Sequence, residues 1–234
     1  MPLALITGAS RGLGLALARE LAGRGWDLIV DARDSSRLGT AAEEMVGPGE
    51  VALIPGDVGD PDHRHELAAA VGRYGRLDLL VNNASVLGPS PQPTLDRYPL
   101  DEVERVYRIN TFAPLAIVQL VLDELGATNG IVVNVTSDAA VEAYENWGGY
   151  GSSKAALDQL TAIFGAEQPA IRFYAFDPGD MRTTLQQEAF PGEDISDRAE
   201  PETVVPALLQ LIAERPPSGR YRSSDLLVTA EERG

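Results

Sequence analysis

Thr7-Gly8-Ala9-Ser10-Arg11-Gly12-Leu13-Gly14 joins an apolar run, Leu3–Thr7, to a stretch from Gly12 to Arg24 that carries Leu13, Leu17 and Leu21. The run reads as a buried strand. The leucines recur at i, i+4 and i+8, the period of a helix. Glycines at such a junction let the backbone turn sharply and approach a pyrophosphate, while the helix offers its free N–H groups and positive dipole end. A glycine triplet alone is a weak signal; its place between the first strand and the first helix makes it a nucleotide-binding expectation. Thr7, Gly8, Ser10, Arg11, Gly12, Leu13 and Gly14 are the residues expected to form that cradle.

The alternation continues outward. Asp27–Ala32, Val51–Pro55, Leu77–Val81, Gly130–Thr136, Ile171–Phe176 and a short Leu226–Val228 read as further strands. Ser35–Met45, Pro61–Tyr74, Leu100–Leu125, Tyr150–Gly165 and Pro201–Ala213 read as helices, the long one tolerating Pro114 as a kink. Unbroken apolar strands alternating with amphipathic helices imply an α/β fold, a parallel sheet covered on both faces. With 234 residues, one domain spanning 1–234 is expected. The 180–200 segment, rich in loop signals, falls after a late strand's C-terminal end, where such sheets bind ligands, and is expected to act as a lid over the substrate.

The end of strand two decides which dinucleotide fits. An acidic side chain there would accept from the ribose hydroxyls and repel a 2′-phosphate. The register preferred for Leu28-Ile29-Val30-Asp31-Ala32-Arg33 puts Ala32 at that point, with Arg33 and Arg11 able to grip a 2′-phosphate. NADP(H) is therefore favoured; a one-residue slip would bring Asp31 to the selective point and favour NAD(H). Asp57-Val58 after strand three suits the adenine, and Asn83-Ala84 after strand four the adenosine ribose.

The chemistry is expected at the other end. Ser137 closes strand five, and Tyr150 and Lys154 lie i, i+4 on one face of the following helix. A free tyrosine titrates near pH 10, too high for efficient proton exchange at neutral pH. A cation one turn away, together with the nicotinamide's charge when oxidised, would favour the phenolate, and Ser137 could hold the substrate oxygen beside the Tyr150 hydroxyl.

On these residues the sequence resembles the single-domain branch of the short-chain dehydrogenase/reductase family over nearly its whole length. The resemblance rests on Thr7-Gly8-x-x-x-Gly12-x-Gly14, Asp57, Asn82-Asn83-Ala84, Ser137, Tyr150, Lys154 and Pro178-Gly179 with Thr183. It implies a Rossmann-type doubly wound sheet of about seven strands in the order 3-2-1-4-5-6-7. It also implies a fourth catalytic residue, Asn110, 27 residues before Ser137, holding a water in a proton relay to Lys154, which would contact the nicotinamide ribose. Pro178 and Gly179 would shape the nicotinamide site and Thr183 would meet its carboxamide. A homodimer or homotetramer through the long helices is implied too. The sequence departs from the pattern at Ser85, where the family has glycine, and at Asp138, which could bias the pocket toward polar or cationic substrates.

The expected activity is hydride transfer between NADP(H) and a small-molecule carbonyl or alcohol, with Tyr150 as general acid/base. The alternative is a catalytically weak NADP(H)-binding regulator or sensor, which would not need Asn110, Ser137, Tyr150 and Lys154 together. A formal charge of −16 argues against nucleic acid and anionic membranes as partners, and against docking of acidic acyl carriers. No run of about 18 apolar residues and no basic leader occur, so a cytoplasmic location without membrane contact is expected. The chain has no cysteine, and His63 and His65 read as solvated surface residues, so no metal site is expected.

Overall fold

A computed structural model describes residues 1–226. Its centre is one parallel sheet of seven strands: β1 (Leu3–Ile6), β2 (Asp27–Val30), β3 (Val51–Leu53), β4 (Leu79–Asn82), β5 (Ile131–Val135), β6 (Arg172–Asp177) and β7 (Gly219–Arg222). The spatial order is β3-β2-β1-β4-β5-β6-β7. The order reverses between β1 and β4, which opens a crevice beyond the strand ends.

Successive side chains of a strand face opposite sides of the sheet, so each inner strand feeds two cores. Ala4, Ile6, Leu28 and Val30 pack on one side against Leu13, Leu17 and Leu21 of α1 (Gly12–Gly23), together with α2 (Ser35–Ala42) and a late helix Val205–Glu214. Leu3, Leu5, Ile29 and Leu80 pack on the other against Leu67 and Val71 of α3 (Pro61–Gly72) and against the helices before β5. This double burial explains why the strands read as continuous apolar runs. Asp60 caps α3 by accepting from the Asp62 N–H, with Pro61 at the first helical position.

The stretch expected as one helix from Leu100 to Leu125 is three: α4 (Leu100–Tyr107), α5 (Ala113–Leu120) and α6 (Leu122–Thr128). A π-helical turn, Arg108–Phe112, links the first two, with the Ala113 N–H reaching back to the Arg108 carbonyl. Pro114 has no N–H for the Asn110 carbonyl four residues earlier, and the widened turn accommodates that loss. The sharp bend, 63°, falls at Val121 rather than at Pro114. Later in the chain come α7 (Gly148–Glu167), α8 (Thr184–Ala189) and α9 (Val205–Glu214).

Among the described residues the seventh strand lies upstream of the stretch expected from the sequence pattern. It is Gly219–Arg222, whose alternating glycine, arginine and tyrosine carry no apolar run. Leu226 lies in a helical turn, and Leu227 and Val228 fall outside the described residues. Among the described residues no single helix is long and apolar enough to cross a membrane.

Candidate active site

A cavity of about 890 Å³ opens where the carboxyl ends of the central strands meet. Every residue expected from sequence to touch cofactor or substrate lines it except Thr7, Gly14 and Asn110, which stand behind its wall.

At one end the wall is backbone. Thr7 Oγ1 accepts from the Asn83 and Ala84 N–H groups, each at 3.0 Å. Asn83 Nδ2 donates to the Thr7 and Gly8 carbonyls at 2.9 and 3.1 Å. These bonds tie the β1 turn to the β4 turn and leave the first turn of α1 with no capping side chain. Those free amides are the groups a pyrophosphate would accept from. The close approach depends on Gly14: a Cβ there would lie 2.6 Å from the Gly8 carbonyl oxygen. Gly8 adopts φ +66°, the left-handed region that favours glycine.

The end of β2 answers the question of register. Asp31 is buried, and its two carboxylate oxygens are both engaged, one by the Gly8 N–H at 2.8 Å and one by His63 Nε2 at 3.0 Å. It braces the glycine turn from the cavity wall, with both oxygens already engaged. Ala32 leaves room, and Arg33 and Arg11 are exposed at the cavity rim. His63 is therefore not a solvated residue: the α3 turn places it against Asp31, beside Gly56, where a Cβ would lie 2.1 Å from its ring. Its partner Asp31 raises its pKa, while burial raises that of Asp31. His65 is exposed, as expected. Among the described residues no cluster of His, Asp or Glu could hold a metal ion.

At the other end the wall is made of side chains. Tyr150 and Lys154 stand on the first two turns of α7, both buried. Lys154 Nζ donates to the Val135 carbonyl at 2.8 Å and lies 5.6 Å from the centre of the Tyr150 ring. Burial lowers the Lys154 pKa to about 8. The Tyr150 phenol moves opposite to expectation: burial pushes its pKa above the ordinary value, and the Asp177 and Asp138 carboxylates add to that, while the Ser85 and Ser137 hydroxyls pull it down. Lys154 points to a carbonyl instead of the phenol oxygen, so desolvation wins.

Ser137 donates to Asp138 Oδ1 at 2.9 Å, and Asp138 also accepts from the Tyr144 hydroxyl and the Ala139 N–H, each at 2.8 Å. The Asp138 carboxylate thus braces its own loop, which leaves little of it to meet a substrate charge. Asn110 holds both backbone groups of Val86, Oδ1 accepting from its N–H and Nδ2 donating to its carbonyl, each at 2.9 Å. Trp147 stacks edge-on against Tyr150 at 5.8 Å and meets Phe190 at 6.0 Å, forming an aromatic wall.

Two contributions escaped sequence reasoning. Arg220, on β7, reaches Asp158 at 3.1 Å, Asp177 at 2.8 Å and the Ser137 carbonyl at 2.9 Å, locking three elements around the phenol. Its strand lacked an apolar signal, so nothing in the sequence connected it to Ser137. Second, the 180–200 segment is built as a folded excursion. Its base is strapped by the Arg182 N–H to Ala199 carbonyl bond at 2.8 Å and an Arg182–Glu200 ion pair, and Thr183 caps α8 through the Gln186 N–H.

The chain is 34% identical over 199 residues to sepiapterin reductase of Rattus norvegicus, covering 79% of this chain and 76% of the relative. It is 32% identical over 193 residues to benzil reductase ((S)-benzoin forming) of Bacillus subtilis, covering 80% and 77%. Among solved structures, an alcohol dehydrogenase from the archaeon Thermococcus sibiricus complexed with 5-hydroxy-NADP superposes with a TM-score of 0.84 at 28% identity, covering 95% of each chain. A short chain dehydrogenase from Shigella flexneri complexed with NADP gives 0.88 at 26% identity, covering 95% of this chain and 97% of that one. A model of the short chain dehydrogenase family matches residues 2–194, and with the sheet order and the relatives above, this chain belongs to that family of oxidoreductases.

Proposed function

We propose that this protein is an NADP(H)-dependent carbonyl reductase in which Tyr150 donates a proton to the substrate oxygen. The observation that carries the reading is the sharing of one cavity by the glycine cradle of α1 and by Tyr150, Ser137 and Lys154. The cradle fits a dinucleotide: its amides are uncapped, and the absence of a Cβ at Gly14 lets the helix start pack against the Gly8 turn and Asn83. The commitment of Asp31 to Gly8 and His63, with Arg33 and Arg11 at the rim, supports a 2′-phosphate. The two NADP-type complexes among the similar structures support the same choice.

When bound, the nicotinamide supplies the hydride. Tyr150, held protonated by its burial, is poised to give its proton to the carbonyl oxygen as negative charge develops there. Ser137 orients that oxygen once its hydroxyl leaves Asp138. Lys154 holds the nicotinamide ribose and takes part in returning a proton to Tyr150. Asn110 fixes the loop bearing Val86, and its part in the reading is to hold a relay water leading to Lys154. Pro178-Gly179 and Thr183 close the cavity around the nicotinamide. Trp147, Tyr144 and Phe190 favour a substrate with an apolar or ring-bearing face beside its carbonyl. The 180–200 excursion serves as the lid.

A protonated phenol carries the proton that reduction must deliver to the developing alkoxide. Both relatives named above are reductases. Phe112 and Ile163, exposed on the α5 and α7 side, suit pairing of subunits as a homodimer or homotetramer, which light scattering would count. The decisive test follows nicotinamide absorbance with NADPH and with NADH over a panel of ketones and aldehydes. Turnover with NADPH preferred supports the proposal; dinucleotide binding with no turnover on any carbonyl overturns it.

A further inference from the structure

β5 and β6 run side by side until the Thr136 N–H donates to the Phe176 carbonyl at 2.8 Å. One residue further, both chains enter the cavity wall, β5 through Ser137 and β6 through Asp177 into Pro178-Gly179. A side chain of β7 joins the two ends there. Arg220 Nη2 donates to the Ser137 carbonyl at 2.9 Å and to Asp177 Oδ2 at 2.8 Å. The other oxygen of Asp177, a buried residue, accepts from the Gly179 N–H at 3.0 Å. One nitrogen thus spans the segment that carries Ser137 and the wall that ends at Gly179. Arg220 Nε donates to Asp158 Oδ2 at 3.1 Å, one turn beyond Lys154 on α7. Ser223, buried just after β7, adds a second tie by donating to the Pro178 carbonyl at 2.8 Å. Arg222 Nε stands farther from Asp177 Oδ2, at 3.8 Å. A guanidinium presents its donors in a rigid planar fork, so the spacing of the three acceptors follows the geometry of that fork.

We propose that Arg220 is a positioning residue for hydride transfer, setting how closely the Ser137 segment and the Pro178-Gly179 wall face each other. This rests on the reading of Ser137 as the holder of the substrate oxygen and of Pro178-Gly179 as part of the nicotinamide site. The carbonyl receives the hydride at carbon and the Tyr150 proton at oxygen, so both must be met in one geometry. Arg220 does not line the cavity; it acts through the segments that do. A displacement of about 1 Å in such a site costs on the order of 10²-fold in rate.

The test compares three variants: Arg220→Lys, which keeps the charge and gives up the fork, Arg220→Gln, and Ser223→Ala, which leaves every ion pair in place. For both Arg220 variants the expected result is a kcat about 10- to 100-fold lower with KM within about twofold, and for Ser223→Ala a smaller fall. In all three the deuterium isotope effect with NADPH labelled at the transferred hydrogen should rise, because it reports the hydride step and not the number of folded molecules. In the protein free of dinucleotide, amide exchange of the 177–183 peptide should quicken about tenfold in Arg220→Lys, with the 3–14 peptide unchanged. Wild-type kinetics and exchange in Arg220→Lys would show that charge alone suffices, and would overturn the proposal. So would a fall in kcat or melting temperature with the isotope effect unmoved, the mark of a purely structural role, or a raised isotope effect with the 177–183 peptide unchanged. If the Arg220 variants do not fold, Ser223→Ala decides by the same isotope effect. Where the wild type reduces carbonyls with NADPH, such results sink only this inference; a wild type that reduces none overturns the proposed function and this inference together.

Discussion

The two ends of the cavity are built in opposite ways. At the glycine turn, side chains hold backbone: Thr7, Asn83 and one oxygen of Asp31 bond main-chain groups of residues 7, 8, 83 and 84, while the other Asp31 oxygen is held by His63. What is left to meet a ligand is a row of amides. At the Tyr150 end, backbone holds side chains: Lys154 is aimed by the Val135 carbonyl, and Asn110 by both groups of Val86. What is left there is a phenol and hydroxyls. A main-chain cradle is insensitive to which side chains it carries but intolerant of an added Cβ. A side-chain site tolerates small changes of shape and fails when one functional atom is removed.

Tyr150→Phe should break that contrast most cleanly. Removing one oxygen from a buried ring should cost about 10³–10⁴-fold in reductase kcat, with NADPH binding by fluorescence titration unchanged. Comparable loss of binding would show that the two ends are not separable. Next in size is the brace beneath the cradle. His63→Leu leaves the Asp31 carboxylate buried without its partner, and a loss of about 3–5 kcal/mol in urea unfolding is expected. A loss below 1 kcal/mol would mean that Asp31 finds water.

Gly14→Ala sharpens the comparison from the backbone side. Its Cβ would meet the Gly8 carbonyl oxygen and Asn83 Nδ2, each at 2.6 Å, so the NADPH-induced rise in melting temperature should largely disappear. An undiminished shift would place the dinucleotide elsewhere. Arg33→Ala should have a smaller effect, lowering the preference for NADPH over NADH by about 10- to 100-fold, the worth of one charge-assisted hydrogen bond. If both cofactors weaken equally, Arg33 does not meet the 2′-phosphate.

The smallest effect concerns pH. Tyr150 acts as an acid in reduction and so must be protonated; its pKa lies above the ordinary phenol value, and that of Lys154 is about 8. The kcat/KM for a neutral ketone should stay level from pH 6 to about 8 and decline above it as Lys154, then Tyr150, lose their protons. A rise across that range would assign Tyr150 the role of base in this direction.

The local pattern of this chain determined a great deal. Continuous apolar runs alternating with amphipathic stretches can be satisfied only by a sheet buried on both faces, and the Gly8–Gly14 spacing marked its ligand-binding end. The i, i+4 pairing of Tyr150 and Lys154 is a property of one helix, so it too was readable. Only the tertiary structure decided what lies across the fold. It turned Asp31 inward onto His63, made a π-turn and a bend of what looked like one helix, and set Arg220 behind Ser137. It also buried the Tyr150 phenol deeply enough that desolvation outweighs the nearby Lys154. Periodicity reports which face of an element is apolar, whereas a pKa depends on desolvation and on partners 20 to 80 residues away, which no local pattern encodes.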